Sequence, residues 1–331
     1  MSSSSAGRVQ LACRFFHKGI RGFLYEKASS ETQATIVNIV QARENWRTYQ
    51  LESRADVTTI SAPDAAGSAF LTFTRSGADT VLTRAFATSP AKLIASKGRG
   101  STCWVYAATF GGGLVGGDDI RLSTDVTAGA RALLTTQAST KVYRSERRSR
   151  QGLTATVGAN ALLAVVPDPI VCFAKADFAQ RQRYDLHPAA SLVMVDWMTS
   201  GRHAAGERWV FSRYESRFDI RRGLQRVFFD GLVLEPNTDA VAARMGRFDV
   251  YATVIVSGPL VAAAAAELVS EVSHSPVARG ADLVIAAATL PDGGALLRMA
   301  GTSVEEMGGT LRRRLGFLSP LVGDDLWSRK W

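Results

Sequence analysis

From residue 68 onward, apolar positions recur in short β-branched and aromatic runs that Gly, Asp and Ser interrupt. The runs at 69–74 (AFLTFT), Cys103–Thr109 (CWVYAAT), 120–126 and 130–136 set the pattern. Those at 153–157, 161–166, 191–197, 208–214, 216–220, 224–234, 248–256, 281–288 and 295–299 continue it. Each predicts a strand. Their spacing of roughly 8–15 residues, with turn signals between, predicts a mainly β chain of stacked sheets or a β-solenoid rather than alternating βαβ units.

Helix signals are few and lie near the C-terminal end. Gly258-Pro259 followed by an Ala-rich run to about Val272 predicts a helix with proline in its first turn. Ser303 with Glu306 three residues on reads as a capping box before a helix over 307–315, which Gly308 and Gly309 weaken. No linker divides 68–331, so that span is expected to be a single domain. Residues 1–60 differ from it. The opening is Ser-rich, and through Tyr25 it carries Arg8, Arg14, Lys18 and Arg21 with no acid. That composition suits an organelle transit peptide or a disordered or wrongly assigned start, and the second is the expectation adopted here.

Composition narrows the function classes. The 331 residues are 46% hydrophobic and 21% charged, which excludes wholesale disorder and collagen-like repeats. The net charge is +9, and only seven of the 39 basic residues are Lys, the other 32 being Arg. A GC-rich coding sequence explains such a bias without any function. The functional reading is a basic surface for an acidic partner or nucleic acid, and the dispersion of the charge argues against nucleic acid. Cys13, Cys103 and Cys172 form no CxxC, and the four His are scattered with no HExxH, so no preformed zinc site is expected. The most apolar stretch, 259–269, is too short to span a bilayer and is broken by Glu267, and no apolar run follows the N-terminus in signal-peptide fashion. A cytoplasmic protein is expected.

Four segments hold the polar residues that could carry chemistry. In FGGGLVGGDD at 110–119, Gly112 and Gly117 have phosphate-loop spacing, but Asp118-Asp119 stands where Lys-Ser/Thr is needed. Carboxylates there repel phosphate. The segment therefore reads either as a tight turn between strands or as an acidic site for a hard or borderline cation. The hydroxyl- and amide-rich run at 132–148 ends in Lys141, Tyr143, Arg144, Arg147 and Arg148, a solvated edge or a partner contact. Pro167-Asp168-Pro169 is a stiff corner. The fourth segment, 195–209, mixes Asp196, Trp197, Arg202, His203 and Glu207, a salt-bridged corner or a metal or proton site.

Taken together and in this order, GGLVGGD (112–118), LTTQASTKVYRS (134–145), PDPI (167–170) with ADFAQ (176–180), and DWMTSGRHAAGERW (196–209) resemble the urease accessory protein UreD family, called UreH in some organisms. The resemblance spans about 68–331, with Asp119 and the longer glycine run as modest departures. It implies a mainly β fold of stacked sheets with β-helical character and a few short helices. It further implies a protein that is not an enzyme but assists nickel insertion into apo-urease, in a complex with UreF and the GTPase UreG. Such a protein holds no tight cofactor and passes nickel transiently through an internal passage.

A conduit must release what it carries, so scattered carboxylates suit it better than a closed set of imidazoles and thiolates. On that basis Asp118, Asp196, Glu207 and Asp230 are the passage candidates, with Gln137 and Thr140 beside them. Lys141, Tyr143, Arg144, Arg147 and Arg148, together with the Arg-rich stretch 221–226, are the candidate partner surface. Urease apoprotein, UreF and UreG are the expected partners, with no nucleic acid and no membrane. Two alternatives stay open: a hydrolase on a β scaffold using Asp196, His203 and Glu207 as acid and base, and a basic nucleic-acid binder.

Overall fold

The computed structural model describes residues 65–96, 100–236 and 240–328. The expectation for 1–60 lies outside the described residues.

Two hairpins open the fold. Strands β1 (Ser68–Ser76) and β2 (Asp79–Ala87) pair antiparallel at one edge of a seven-stranded sheet. Strands β3 (Ala91–Ser96) and β4 (Cys103–Thr109) do so at one edge of a ten-stranded sheet. The chain then alternates between the sheets. Strands β5 (Asp119–Val126), β8 (Ser149–Val157), β11 (Asp177–Leu186) and β13 (Arg213–Arg222) join the first sheet, each parallel to the one before. Strands β6 (Arg131–Thr136), β9 (Leu162–Val165) and β12 (Ser191–Thr199) join the second, parallel to β4 and to one another. This winding is the β-helical character that the family resemblance implies, on the stacked sheets that the strand spacing allows. Short strands β7 (Thr140–Val142) and β10 (Ile170–Cys172) pair with each other, and β10 pairs with the end of β12.

The remaining elements close the sheets. Strand β14 (Gln225–Leu234) folds back on β13 as a hairpin. After helix α1 (Val241–Met245), strands β15 (Val250–Ser257), β16 (Leu283–Thr289) and β17 (Ala295–Gly301) extend the ten-stranded sheet antiparallel beyond β12. Helix α2 (Ala262–His274) lies between β15 and β16, and α3 (Val304–Arg314) and α4 (Leu318–Val322) follow β17. The capping box forms as expected, Ser303 Oγ accepting from the Glu306 N–H at 3.2 Å, and the helix starts at Val304.

Side-chain alternation places the cores. Leu192, Met194 and Met198 of β12 face the space between the sheets, and Val193, Val195 and Trp197 face the opposite way, under the helices. Every residue of β15 is buried for the same reason. Buried carboxylates here must therefore find partners inside the protein. Among the described residues, no helix is long and apolar enough to cross a membrane.

Some strand expectations fail in an informative way. The run at 208–214 is not a strand: β13 begins at Arg213, and it continues unbroken through the expected 216–220 strand. Trp209 takes a positive φ of 56°, its indole N–H donates to Phe248 O at 2.9 Å, and Phe211 is buried. These aromatics anchor a loop in the core instead of alternating across a sheet. Strands β2, β3 and β11 go unnoticed in the apolar pattern. β2 exposes most of its side chains, and β11 (DFAQRQRYDL) puts polar residues on both of its faces.

Candidate functional site

Asp196 sits on the inner face of β12, only 6% exposed. The facing strand β11 offers Gln180, whose Nε2 donates to Asp196 Oδ1 at 2.7 Å and also meets the Tyr214 and Ser216 hydroxyl oxygens at 3.0 Å each. The Tyr214 hydroxyl donates to Asp196 Oδ2 at 3.4 Å. Gln182 Nε2 donates to Gln180 Oε1 at 3.4 Å, and the Tyr184 hydroxyl donates to Gln182 Oε1 at 2.5 Å. Burial raises the Asp196 pKa to about 6, and the hydrogen bonds from Gln180, Tyr214 and Ser216 counter that only in part. Burial, with the Asp196 charge behind it, drives the Tyr184 and Tyr214 phenols well above their ordinary value. Asp196 is thus a carboxylate that ionises near neutral pH, surrounded by neutral donors.

Asp230 lies in the same inter-sheet layer. Register links the two: Asp196 pairs with Thr253 on β15, and Thr253 pairs with Arg298 on β17. Arg298 reaches across to ion-pair with Asp230 of β14, and donates to the Tyr251 hydroxyl at 2.6 Å. Burial pulls the Arg298 pKa down, and Asp230 and Tyr251 more than reverse it. This is a compensated charge pair in the core.

The other two passage candidates lie at one end of the sheets, where loops between strands stack. Asp118 closes the glycine turn, its Oδ2 accepting from the Val115 N–H at 2.9 Å. Leu114 bridges to Val142, with Leu114 N–H to Lys141 O at 2.8 Å and Tyr143 N–H to Leu114 O at 2.9 Å. Glycine is needed where these loops touch: a Cβ on Gly116 would lie 1.5 Å from Ser145 Oγ, and one on Gly113 would lie 2.6 Å from Lys141 O. One layer further, Tyr143 packs edge-on against Phe173 at 5.1 Å, and the Arg202 guanidinium covers that ring at 4.3 Å. Glu207 ion-pairs with Arg202 and accepts from the Ala174 N–H at 3.1 Å, and both bonds, that of Arg202 foremost, hold its carboxyl below the usual range. The glycine turn, the TKVYRS run, Phe173 just beyond PDPI and the GRHAAGE loop are therefore successive layers of one surface.

Among the described residues, no three His, Cys, Asp or Glu side chains come close enough to hold a metal ion. The four passage candidates thus divide: Asp196 and Asp230 lie between the sheets, and Asp118 and Glu207 serve loops at their end. Thr140 opens β7 with its N–H on Pro169 O at 3.1 Å, and Gln137 is exposed beyond the end of β6. The hydrolase trio is not assembled either. Asp196 bonds Gln180, Glu207 bonds Arg202, and His203 is exposed and faces Asp249 at 3.9 Å. Of the basic candidates, Lys141, Arg144 and Arg147 are exposed, and Arg147, with Arg144, Ser145, Glu146 and Gly116, lines an open depression of about 490 Å³. Arg148 is turned to Asp177 at 2.8 Å. In the 221–226 stretch, Arg222 is a clamp on Asp292, Ser257 and the carbonyls of His187, Pro188 and Ala190.

The model of the UreD urease accessory protein family matches residues 65–331. The chain belongs to that family. A urease accessory protein UreD from Sorangium cellulosum (strain So ce56) is 48% identical over 293 residues, 84% of this chain and 93% of the relative. A urease accessory protein D from Oryza sativa subsp. japonica is 43% identical over 216 residues, 63% of this chain and 70% of its own. A UreD of Haloarcula marismortui is 33% identical over 261 residues, 76% and 85% of the two chains. As a UreD-family member, the protein has a role in urease maturation. The features that sequence reasoning missed are Gln180, Tyr214, Ser216, Tyr251 and Arg298. Period-two reading of β11 finds the first of them, because Phe178, Gln180, Tyr184 and Leu186 are buried on one face.

Proposed function

We propose that the protein assists nickel insertion into apo-urease as a non-enzymatic scaffold and conduit, in a cytoplasmic complex with UreF and the GTPase UreG. The observation that carries this reading is Asp196, a buried carboxylate met by neutral donors, with no second and third ligand to close a coordination set among the described residues. A single carboxylate with only hydroxyl oxygens beside it attracts a borderline divalent cation and lets it go. Imidazole or thiolate ligands would retain it. Asp230, tied to Arg298, shapes the layer more than it binds. Asp118 and Glu207 hold the loops at one end of the sheets, and Lys141, Tyr143, Arg144 and Arg147 are the side chains there that contact partners. Arg148 braces that segment from within.

The test is urease activation at fixed nickel in cells carrying the urease subunits and the other accessory proteins, with and without this chain, with UreF recovered from the same lysate. Activation that needs the chain, co-purification of UreF, and loss of activation in Asp196→Asn with UreF still bound support the reading. Full activation by Asp196→Asn removes the conduit, and full activation without the chain removes the function.

A further inference from the structure

The loop from β4 to β5 is held along its length by the rest of the protein and still leaves two apolar side chains in water. Leu114, at its centre, is fully buried and bridges to Val142. Thr109 Oγ1 donates to Gly113 O at 3.0 Å, Ser149 Oγ donates to Val115 O at 2.9 Å, and Arg147 donates to Gly116 O at 3.2 Å. With the Val115 N–H on Asp118, both backbone groups of Val115 are used. The Tyr143 ring closes over Gly113, where a Cβ would lie 2.7 Å from Cε2. On either side of this anchor, Phe110 and Val115 are 58% and 55% exposed.

A pinned loop cannot turn these side chains inward. With Tyr143 over Gly113 and Phe173 packed behind it, they form a patch rather than isolated apolar residues. The space above it is open, since a Cβ on Gly111 or Gly112 would meet nothing within 4 Å. Apolar anchors held ready in this way bind at little ordering cost. The cations around them are also free to act. Lys141 and Arg144 are exposed, and among the described residues neither has a carboxylate in ion-pair range, whereas Arg148 and Arg202 nearby are spent on Asp177 and Glu207. The Lys92 ammonium stands 5.5 Å over the Phe110 ring. Against these, Asp118 is turned to the Val115 N–H, and Glu146 lines the depression beside Arg144 and Arg147. Exposed aromatic and aliphatic side chains ringed by unpaired basic ones are the composition of a protein interface.

We propose that the glycine turn docks a partner segment that is both acidic and apolar, its apolar side chains on Phe110 and Val115 and its carboxylates on Lys141 and Arg144. The proposal rests on the reading of this end of the sheets as the partner surface, and adds the chemistry of what that surface takes. A purely charged chain leaves Phe110 and Val115 in water. A nucleic acid does the same to Val115 and sets phosphates against Glu146. A polypeptide of mixed acidic and apolar residues satisfies both halves of the patch.

The experiment uses the full chain with three labelled probes of equal charge: a peptide of Glu and Leu, a peptide of Glu and Ser, and a single-stranded DNA. The Glu/Leu peptide is expected to bind on the order of tenfold more tightly than the Glu/Ser peptide. Phe110→Ser with Val115→Ser should abolish that preference, and Lys141→Glu with Arg144→Glu should weaken both peptides by on the order of tenfold. Val81→Ser with Leu260→Ser and Arg75→Glu with Arg279→Glu make the same changes at exposed sites elsewhere and should stay within about twofold of wild type. Should a site pair fail to fold, Phe110→Ala and Lys141→Ala singly are expected to act in the same directions. The variants are also tested for UreF recovery and urease activation. No binding of the Glu/Leu peptide, equal losses in site and control pairs, or DNA binding that follows the Glu/Leu peptide through all variants overturns the proposal. Loss of UreF recovery in the site pairs with peptide affinity unmoved overturns it too, and leaves the partner surface standing. Loss of the peptide with UreF recovery and activation unmoved supports the docking site and removes its place in the nickel-insertion complex.

Discussion

Asp196 and Asp230 occupy one buried layer between the same two sheets, 6% and 5% exposed, and are solvated by the protein in opposite ways. Asp230 is answered by a full positive charge, Arg298, which also holds the Tyr251 hydroxyl. Asp196 is answered by an amide and two hydroxyls, and burial lifts its pKa to about 6. The difference teaches what each is for. A paired charge is a fixed part of the core. A carboxylate with neutral partners remains open to a proton or a cation, and the fold bears a cost for keeping it.

The largest expected effect breaks the paired side. Asp230→Ala leaves Arg298 charged and buried and should destabilise by roughly 3–5 kcal/mol, read by denaturant unfolding at neutral pH. Asp230→Leu with Arg298→Met should return most of that, and equal losses in the single and double variants would show that the pair has no such weight.

Asp196→Asn sharpens the other side. The folded state binds the Asp196 proton more tightly than the unfolded chain, so stability falls as pH rises from 3.8 to about 6 and is level above. Asn removes that fall. The variant should match wild type below about pH 4 and exceed it by up to roughly 3 kcal/mol at pH 7. A variant less stable than wild type at pH 7 would sink the account.

Tyr214→Phe has the smallest expected effect, about 1 kcal/mol. It deletes the donor at 3.4 Å from Asp196 Oδ2, so the carboxyl titrates still higher and the pH window of falling stability extends upward. A window that stays in place would mean that Tyr214 does not solvate the carboxylate.

The candidate site was legible in its pieces and hidden in its assembly. The Gly-rich turn, the TKVYRS run and the GRHAAGE loop stand out in the sequence because they break the strand pattern, and they prove to be stacked layers of one surface. Asp196 and Asp230 stand out as acids inside apolar strands. Which acid has a cation and which has an amide does not follow from the sequence, since Gln180 and Arg298 lie 16 and 68 positions away. The apolar run at 208–214 misled for the same kind of reason: its aromatics anchor a loop, and local alternation cannot tell an anchor from a strand.

The sequence by itself determined the β class, most strand positions, the helix cap at Ser303 and the family, because alternation, turn residues and capping are local and a motif string survives in one dimension. Only the tertiary structure decided which strands join which sheet, that Asp196 titrates near neutrality while Asp230 is paired, and that the glycine turn holds Phe110 and Val115 in solvent around a buried Leu114. Those outcomes depend on register between strands far apart in the chain, and on the desolvation that register imposes, which no local pattern records.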